Sequence, residues 1–219
     1  MSTILRIDAS PRRARSLTRH LADDFIAAWR SRRPDDRVID RDVGLSPPPS
    51  LTEDWIAAAF TPAGERTEEQ RALLALSDAL VDELSAADLI VMAVPMHNYG
   101  MPSALKAWID HVIRIDRTFT FDLARGDWPL EPVLGGKTLV LLTASGEFGF
   151  APGGLRADWN HLDTHIRTVS HYLGVAETHH LAIEYQEFRD ARFEASVAAA
   201  HAAIAPLVER LSTQPANAV

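Results

Sequence analysis

Three short segments bring together residue types that can do chemistry. Ser10, Ser16 and Thr18 lie just ahead of a stretch in which Leu21, Phe25 and Trp29 recur every fourth residue, the period of an amphipathic helix. Hydroxyls and free backbone N–H groups at a helix N-terminus, helped by the helix dipole, form an anion site. The chain has no G-x-G-x-x-G and no G-x-x-x-x-G-K-[ST] here, so a single phosphate monoester is what this loop can seat. Plain N-capping by Ser16 or Thr18 would use the same residues. The second segment, Met96-His97-Asn98-Tyr99-Gly100, is bracketed by Pro95 and Pro102. Such a turn can aim several backbone N–H groups at one spot, with Asn98 holding the turn and Tyr99 offering a flat surface. A planar, electron-accepting ring needs donors where negative charge grows and apolar packing elsewhere. A tight turn with no ligand is the competing reading. The third segment, Ala144-Ser145-Gly146-Glu147 and onward to Gly154, is rich in glycine.

These segments need elements to hold them. Thr3–Ala9 reads as a first strand through Ile4, Leu5 and Ile7, and Arg37–Asp42 as a short second one. A helix is expected from about Thr67 to Ala86 with Leu73, Leu76, Leu80 and Leu84 as its apolar face. Asp88–Val94 is a near-continuous apolar run, the pattern of a strand covered on both faces. A helix through Leu105, Ile109 and Val112 follows it, then an irregular aromatic stretch over 117–136 in which Arg117–Phe121 alternates like a strand. Lys137–Thr143 is another buried strand. A helix over about Trp159–Leu173, a strand near Val175–Ile183 and a last helix from about Phe188 to Leu211 complete the chain, with Pro206 expected to kink or divide that helix. Alternating strands and helices imply an open, doubly wound α/β sheet with helices on both faces. Five parallel strands in the flavodoxin-like order 2-1-3-4-5 match this pattern. In such sheets ligands sit beyond the carboxyl ends of the strands where strand order reverses, and the three segments would gather there. The expected organisation is a single domain over 1–211, with a frayed tail over 212–219.

Composition excludes several classes. The chain has 219 residues, 47% apolar and 24% charged, with no cysteine, so disulfides, thiolate metal sites and cysteine nucleophiles are out. The net charge of −8 argues against a nucleic-acid surface, and no run is long enough to span a membrane. The start, Met1-Ser-Thr-Ile-Leu-Arg-Ile, runs into a strand pattern rather than a signal peptide, and a cytoplasmic protein is expected. Residues 1–41 hold ten arginines against six acids, a basic start that suits an anionic ligand or a solvated helix face equally. His161 and His165 have a helix spacing able to chelate a metal, but Leu-Asp-Thr between them and the lack of a third ligand argue for no metal. Phe119, Phe121, Trp128, Phe148 and Phe150, set among glycines and prolines, are expected to wall a pocket.

The stretch from Pro95 to Asp110, with Arg117-Thr118-Phe119, Ser10 to Ser16 and the Ala75–Asp78 segment, resembles bacterial FMN-dependent NADH azoreductases, also called FMN-dependent NADH:quinone oxidoreductases. The resemblance spans roughly residues 3–210. It implies FMN as bound cofactor, NADH as co-substrate, and quinones and azo aromatics as acceptors, in a homodimer. It also implies a phosphate site at Ser10 and Ser16-Leu17-Thr18, a ring loop at Met96-His97-Asn98-Tyr99 and a third flavin loop at Ala144-Ser145-Gly146-Glu147. The flavin carries the chemistry, so no catalytic side chain is assigned. Three positions depart from the family pattern. His97 stands where tyrosine is usual, Leu17 where a polar residue is usual, and Ala144-Ser145-Gly146-Glu147 where Ser-Arg-Gly-Gly is usual. At the mouth of a pocket His97 would titrate near neutrality. A flavodoxin-type electron carrier and a flavin-less binding module of the same fold are the alternatives.

Overall fold

The computed structural model describes residues 1–213. Strands β1 (Thr3–Asp8), β2 (Arg37–Asp42) and β3 (Leu89–Pro95) are followed by a small antiparallel pair, β4 (Phe119–Phe121) and β5 (Leu130–Pro132), and then by β6 (Lys137–Ala144) and β7 (Val175–Ile183). The five long strands form one parallel sheet in the order β2-β1-β3-β6-β7. Counting those five alone, this is the expected 2-1-3-4-5.

Helices α1 (Leu17–Arg32), α2 (Glu53–Phe60), α3 (Glu68–Ala86), α4 (Ser103–Val112), α5 (Asp163–Ser170), α6 (Ala191–Ala202) and α7 (Ile204–Thr213) lie around the sheet. Side chains alternate faces along a strand, so β3 feeds two cores at once. Ile90, Met92 and Val94 pack with Leu80 and Leu84 of α3, Trp108 and Ile109 of α4 and Ile166 of α5. Leu89, Val91 and Ala93 pack with Phe25 and Trp29 of α1 and Leu207 and Val208 of α7. Among the described residues, no helix is long and apolar enough to cross a membrane.

The structure corrects four details. Helix α3 buries Leu74, Ser77, Leu80, Val81 and Leu84, while Leu73 and Leu76 face outward. The true face includes a serine, whose hydroxyl donates to the His111 carbonyl, so leucines alone misplace it. Helix α2 was not expected. Thr52 caps it by accepting from the Trp55 N–H at 3.2 Å, and Trp55, Ala58 and Ala59 cluster with Leu74. The fifth helix starts only at Asp163, after a single 3-10 turn at Ala157–Trp159. Pro206 does divide the last helix. The break falls at Ala203, which leaves Pro206 in the first turn of α7, where no intrahelical N–H is needed. Helix α7 runs to Thr213, so Ser212 and Thr213 of the expected tail are helical, and 214–219 lie outside the described residues.

The end of β1 is fixed from two sides. The Arg19 guanidinium donates to both Asp42 carboxylate oxygens at 2.7 Å and to the Ser10 carbonyl at 2.7 Å. Gly44, just past β2, donates to the Asp8 carbonyl at 2.9 Å and leaves no room for a side chain, since a Cβ would sit 2.3 Å from the Ser10 carbonyl oxygen. Gly44→Ala should therefore push the Ser10 loop outward and cost about 1–3 kcal/mol, as overpacking does. Urea unfolding will read this as a lower midpoint at unchanged slope. Unchanged stability would mean that the Ser10 loop is free to yield.

Candidate functional site

The first loop is built from buried hydroxyls. Ser10, Ser16 and Thr18 are 2%, 3% and 1% exposed. Ser16 caps α1 by accepting from the Arg19 N–H at 3.4 Å, and its Oγ lies 3.3 Å from Thr18 Oγ1. Ser10 Oγ accepts from the Arg12 N–H at 3.2 Å. Capping and anion binding are thus not exclusive, because one hydroxyl can accept from the backbone while donating to an oxyanion. Leu17 and Thr18 open the helix, and their N–H groups have no intrahelical acceptor. Half-buried Leu17 reaches the α1 core, so an apolar residue here ties the loop down.

The second loop is a two-residue hairpin turn. His97 N–H donates to the Gly100 carbonyl at 2.9 Å, and Gly100 N–H returns to the His97 carbonyl at 3.0 Å. Asn98 and Tyr99 between them have φ of 48° and 66°, both left-handed. Asparagine tolerates that region readily, whereas tyrosine pays for it and must be held by its surroundings. The Tyr99 carbonyl accepts from the His161 N–H at 2.9 Å, its hydroxyl donates to Glu147 Oε2 at 3.1 Å, and its ring meets Trp159 edge-on at 5.7 Å. The hydrogen bond to the Glu147 carboxylate holds the Tyr99 phenol protonated to higher pH than usual.

The third loop is laced to the chain after β7. Ser145 N–H donates to the Ile183 carbonyl at 2.9 Å, and Ser145 Oγ to the Glu147 carbonyl at 2.9 Å. Gln186 and Glu187 donate backbone N–H groups to the Ser145 and Gly146 carbonyls. A Cβ on Gly146 would lie 2.7 Å from the Glu187 carboxyl, so any side chain here would displace the Glu187 side chain. The Met96 N–H reaches the Ala144 carbonyl at 2.8 Å, so the second and third loops continue the β3–β6 ladder.

The loops enclose a cleft of about 550 Å3 beyond the carboxyl ends of β1, β3 and β6. Ser10, Ser16, Leu17 and Thr18 line one part, and Met96, His97, Ala144 and Gly146 another. Asn98, Tyr99, Ser145 and Glu147 are not among the lining residues; Tyr99, Ser145 and Glu147 brace the loops through hydrogen bonds to one another. Sequence reasoning missed Arg12, Arg15, Gln186, Glu187 and Arg189, which also line the cleft. The arginine surplus near the N-terminus signalled the first two. Nothing signalled the 186–189 wall, because only the crossing to the outer strand β7 brings it there.

Three guanidiniums against one carboxylate make the cleft basic, which suits a phosphate. A hydroxyl-lined end joined to an apolar and backbone-lined end suits a ligand that carries both a phosphate and a flat ring. Burial first, and the Arg12 charge second, hold the His97 imidazole below its ordinary value of 6.5. Of the expected aromatic wall, Phe150 lines a separate chamber of about 280 Å3 with Met96 and Ser145, and Phe148 stacks on Tyr185 at 4.5 Å. Phe121 and Trp128 are exposed, and Phe119 packs on Tyr172. None of the five lines the basic cleft. His161 lies before α5 begins, which removes the helical spacing to His165, and no metal-holding cluster occurs among the described residues.

Comparison with known proteins agrees with this geometry. A family model described as flavodoxin-like fold matches residues 2–207. The FMN-dependent NADH:quinone oxidoreductase 2 of Colwellia psychrerythraea is 50% identical over 218 residues, covering 96% of this chain and 100% of the relative. The FMN-dependent NAD(P)H:quinone oxidoreductase 1 of Pseudomonas aeruginosa is 45% identical over 197 residues, covering 90% and 93%. In fold, the chain is similar to an FMN-dependent NADH-azoreductase of Bacillus anthracis solved with FMN, at a TM-score of 0.85 and 16% identity over 97% of this chain and 100% of that one. The chain belongs to the flavodoxin-like family of FMN-dependent NADH:quinone oxidoreductases.

Proposed function

We propose that the protein binds FMN and passes electrons from NADH to quinones and azo aromatics. One observation carries this reading: a single basic cleft joins buried hydroxyls at a helix N-terminus to two backbone turns at the strand-order reversal. The names of relatives up to half identical along nearly the full chain support it. Ser10, Ser16 and Thr18 bind the phosphate with the first N–H groups of α1, while Arg12 and Arg15 add positive charge. Met96 to Tyr99 and Ala144 to Glu147 orient the ring. When bound, the flavin supplies hydride acceptance from NADH and return of both electrons to the acceptor. Overall, NADH, a proton and a quinone give NAD and a hydroquinone. Our reading is of a cytoplasmic homodimer. Exposed Phe121, Leu123, Trp128 and Leu130 around the β4–β5 hairpin support a second copy, since apolar groups clustered in one region mark contact surfaces.

One face of the ring packs on the 95–99 loop, so nicotinamide and acceptor must take turns on the other face. Double-reciprocal plots against NADH at several quinone concentrations should be parallel, and NADH alone should bleach the yellow protein. Converging lines would defeat the shared face, and a protein untouched by NADH alone would be an electron carrier.

Ser16→Ala removes one hydrogen bond to a charged phosphate, worth about 1.5–3 kcal/mol. FMN affinity should fall roughly ten- to a hundredfold by that conversion. The lost cap of α1 affects FMN and riboflavin alike, so the ratio of their dissociation constants isolates the phosphate. An equal loss for both would place the phosphate elsewhere.

With His97 held below 6.5, its charge appears only in acid. Acceptor turnover should be level above about pH 7 and change below about pH 6.5, and His97→Tyr should remove that change. The sign for stability follows: as pH falls through 6.5 the unfolded chain takes the proton first, so His97 weakens folding in acid. An unaltered profile in the variant would take His97 out of the reaction.

A further inference from the structure

A second cleft shares the His97 side chain with the first. It encloses about 540 Å3, and its polar lining is Asn98, Ser103, Lys106, His161 and His165 together with His97. We infer that this cleft seats the diphosphate of the reduced nicotinamide dinucleotide and holds its ADP half while the nicotinamide lies on the ring site. The inference rests on the oxidoreductase reading above.

The charge of the cleft is the first argument. The Lys106 ammonium, three imidazoles and two neutral polar side chains line it, all able to donate hydrogen bonds to an oxyanion, and no carboxylate does, in a chain whose net charge is −8. Asp110 pairs with the Lys106 ammonium from one turn along α4, but both side chains are more than a third exposed. A pair so open to water is worth little, and a diphosphate can share the ammonium without a large loss.

Size and placement are the second and third arguments. A volume near 540 Å3 lies within the range of small-molecule sites and far exceeds what one phosphate fills. The first cleft already has an anion seat at Ser10, Ser16 and Thr18, which FMN would occupy with its own phosphate. The diphosphate of a dinucleotide therefore needs another basic seat within reach of the ring, and the two clefts meet at one side chain, His97. The ring turn itself fixes a wall of the second cleft, because the His161 N–H is bound to the Tyr99 carbonyl at 2.9 Å. A neutral, flat quinone gives no reason for an ammonium and so many hydrogen-bond donors in a cleft with no carboxylate lining it. A metal is no better occupant, as no cluster among the described residues can hold one.

The test uses FMN-loaded protein, calorimetry with ADP, and two reductants. ADP should bind the unaltered protein, and Lys106→Gln and His161→Gln should each weaken it about tenfold, the loss of one charge-assisted hydrogen bond. In both variants kcat/KM for NADH should fall about as far, while kcat/KM for reduced nicotinamide mononucleotide, which lacks the ADP half, and FMN affinity stay unchanged. ADP that fails to bind, or binds the variants undiminished, would overturn the proposal. So would equal losses with both reductants, or a loss confined to a sulfonated azo acceptor, which would give the seat to the acceptor. Reduction by neither reductant would instead overturn the oxidoreductase reading, and the ADP titration would still decide whether a diphosphate seat exists.

Discussion

Strand β3 has no polar face, and most of the molecule follows from that. Leu89 to Val94 are all buried, so every backbone N–H and carbonyl along the run must be paired within the sheet. Parallel partners on both sides, β1 and β6, meet that need, and helices must then cover both faces. The chain leaves β1 toward β2 on one side and reaches β6 and β7 on the other. The loops after β1 and β3 therefore part in opposite directions, and the cleft opens between them. The cleft is a consequence of burying β3 rather than an addition to it.

Electrostatics then holds the parting loops in place. Asp8 sits at the end of β1, nine-tenths buried, with Arg6 at 2.8 Å and Arg19 at 3.6 Å. Burial raises its proton affinity more than these cations lower it, so the carboxylate depends on both partners. Arg19 also donates to Asp42 and the Ser10 carbonyl, which ties the Ser10 loop to β2. The Arg19 backbone N–H is separately satisfied by the Ser16 hydroxyl, so one residue is tied to the loop through both its main chain and its guanidinium.

How much of this the sequence makes legible depends on whether the signal is local. Strand order, the hydroxyl loop and the Pro-bracketed turn are readable because apolar runs and proline spacing report on their own neighbourhood. The face of α3 is misread because Leu73 and Leu76 look apolar, while Ser77 is buried through a hydrogen bond to a helix residue far along the chain. Helix α2 escapes because eight residues hold barely two turns, and its stability comes from packing on Leu74. Gln186, Glu187 and Arg189 escape because their place in the cleft depends on where β7 joins the sheet. The aromatic residues mislead for a related reason: loops with similar composition face the solvent at Trp128 and a neighbouring ring at Phe148.

The departures from the family pattern in the third loop form a matched set in space. Glu147, standing where glycine is usual, accepts from the Tyr99 hydroxyl and pairs with Arg156 at 3.0 Å. Arg156 also donates to the Phe148 carbonyl at 3.1 Å and lies 4.8 Å over the Phe148 ring. A guanidinium thus braces this loop although Ser145 stands where the family carries arginine; it comes from eleven residues further on. Its carboxylate partner reaches across to a tyrosine held at φ 66° in the ring turn. The backbone cost of that tyrosine, of order 1–3 kcal/mol, is offset by contacts that bind the second loop to the third. Glycine at 147 would remove the side-chain link between the two loops and leave only the Met96–Ala144 backbone bond of the sheet ladder beside it, so the loop exchange is a repositioned brace.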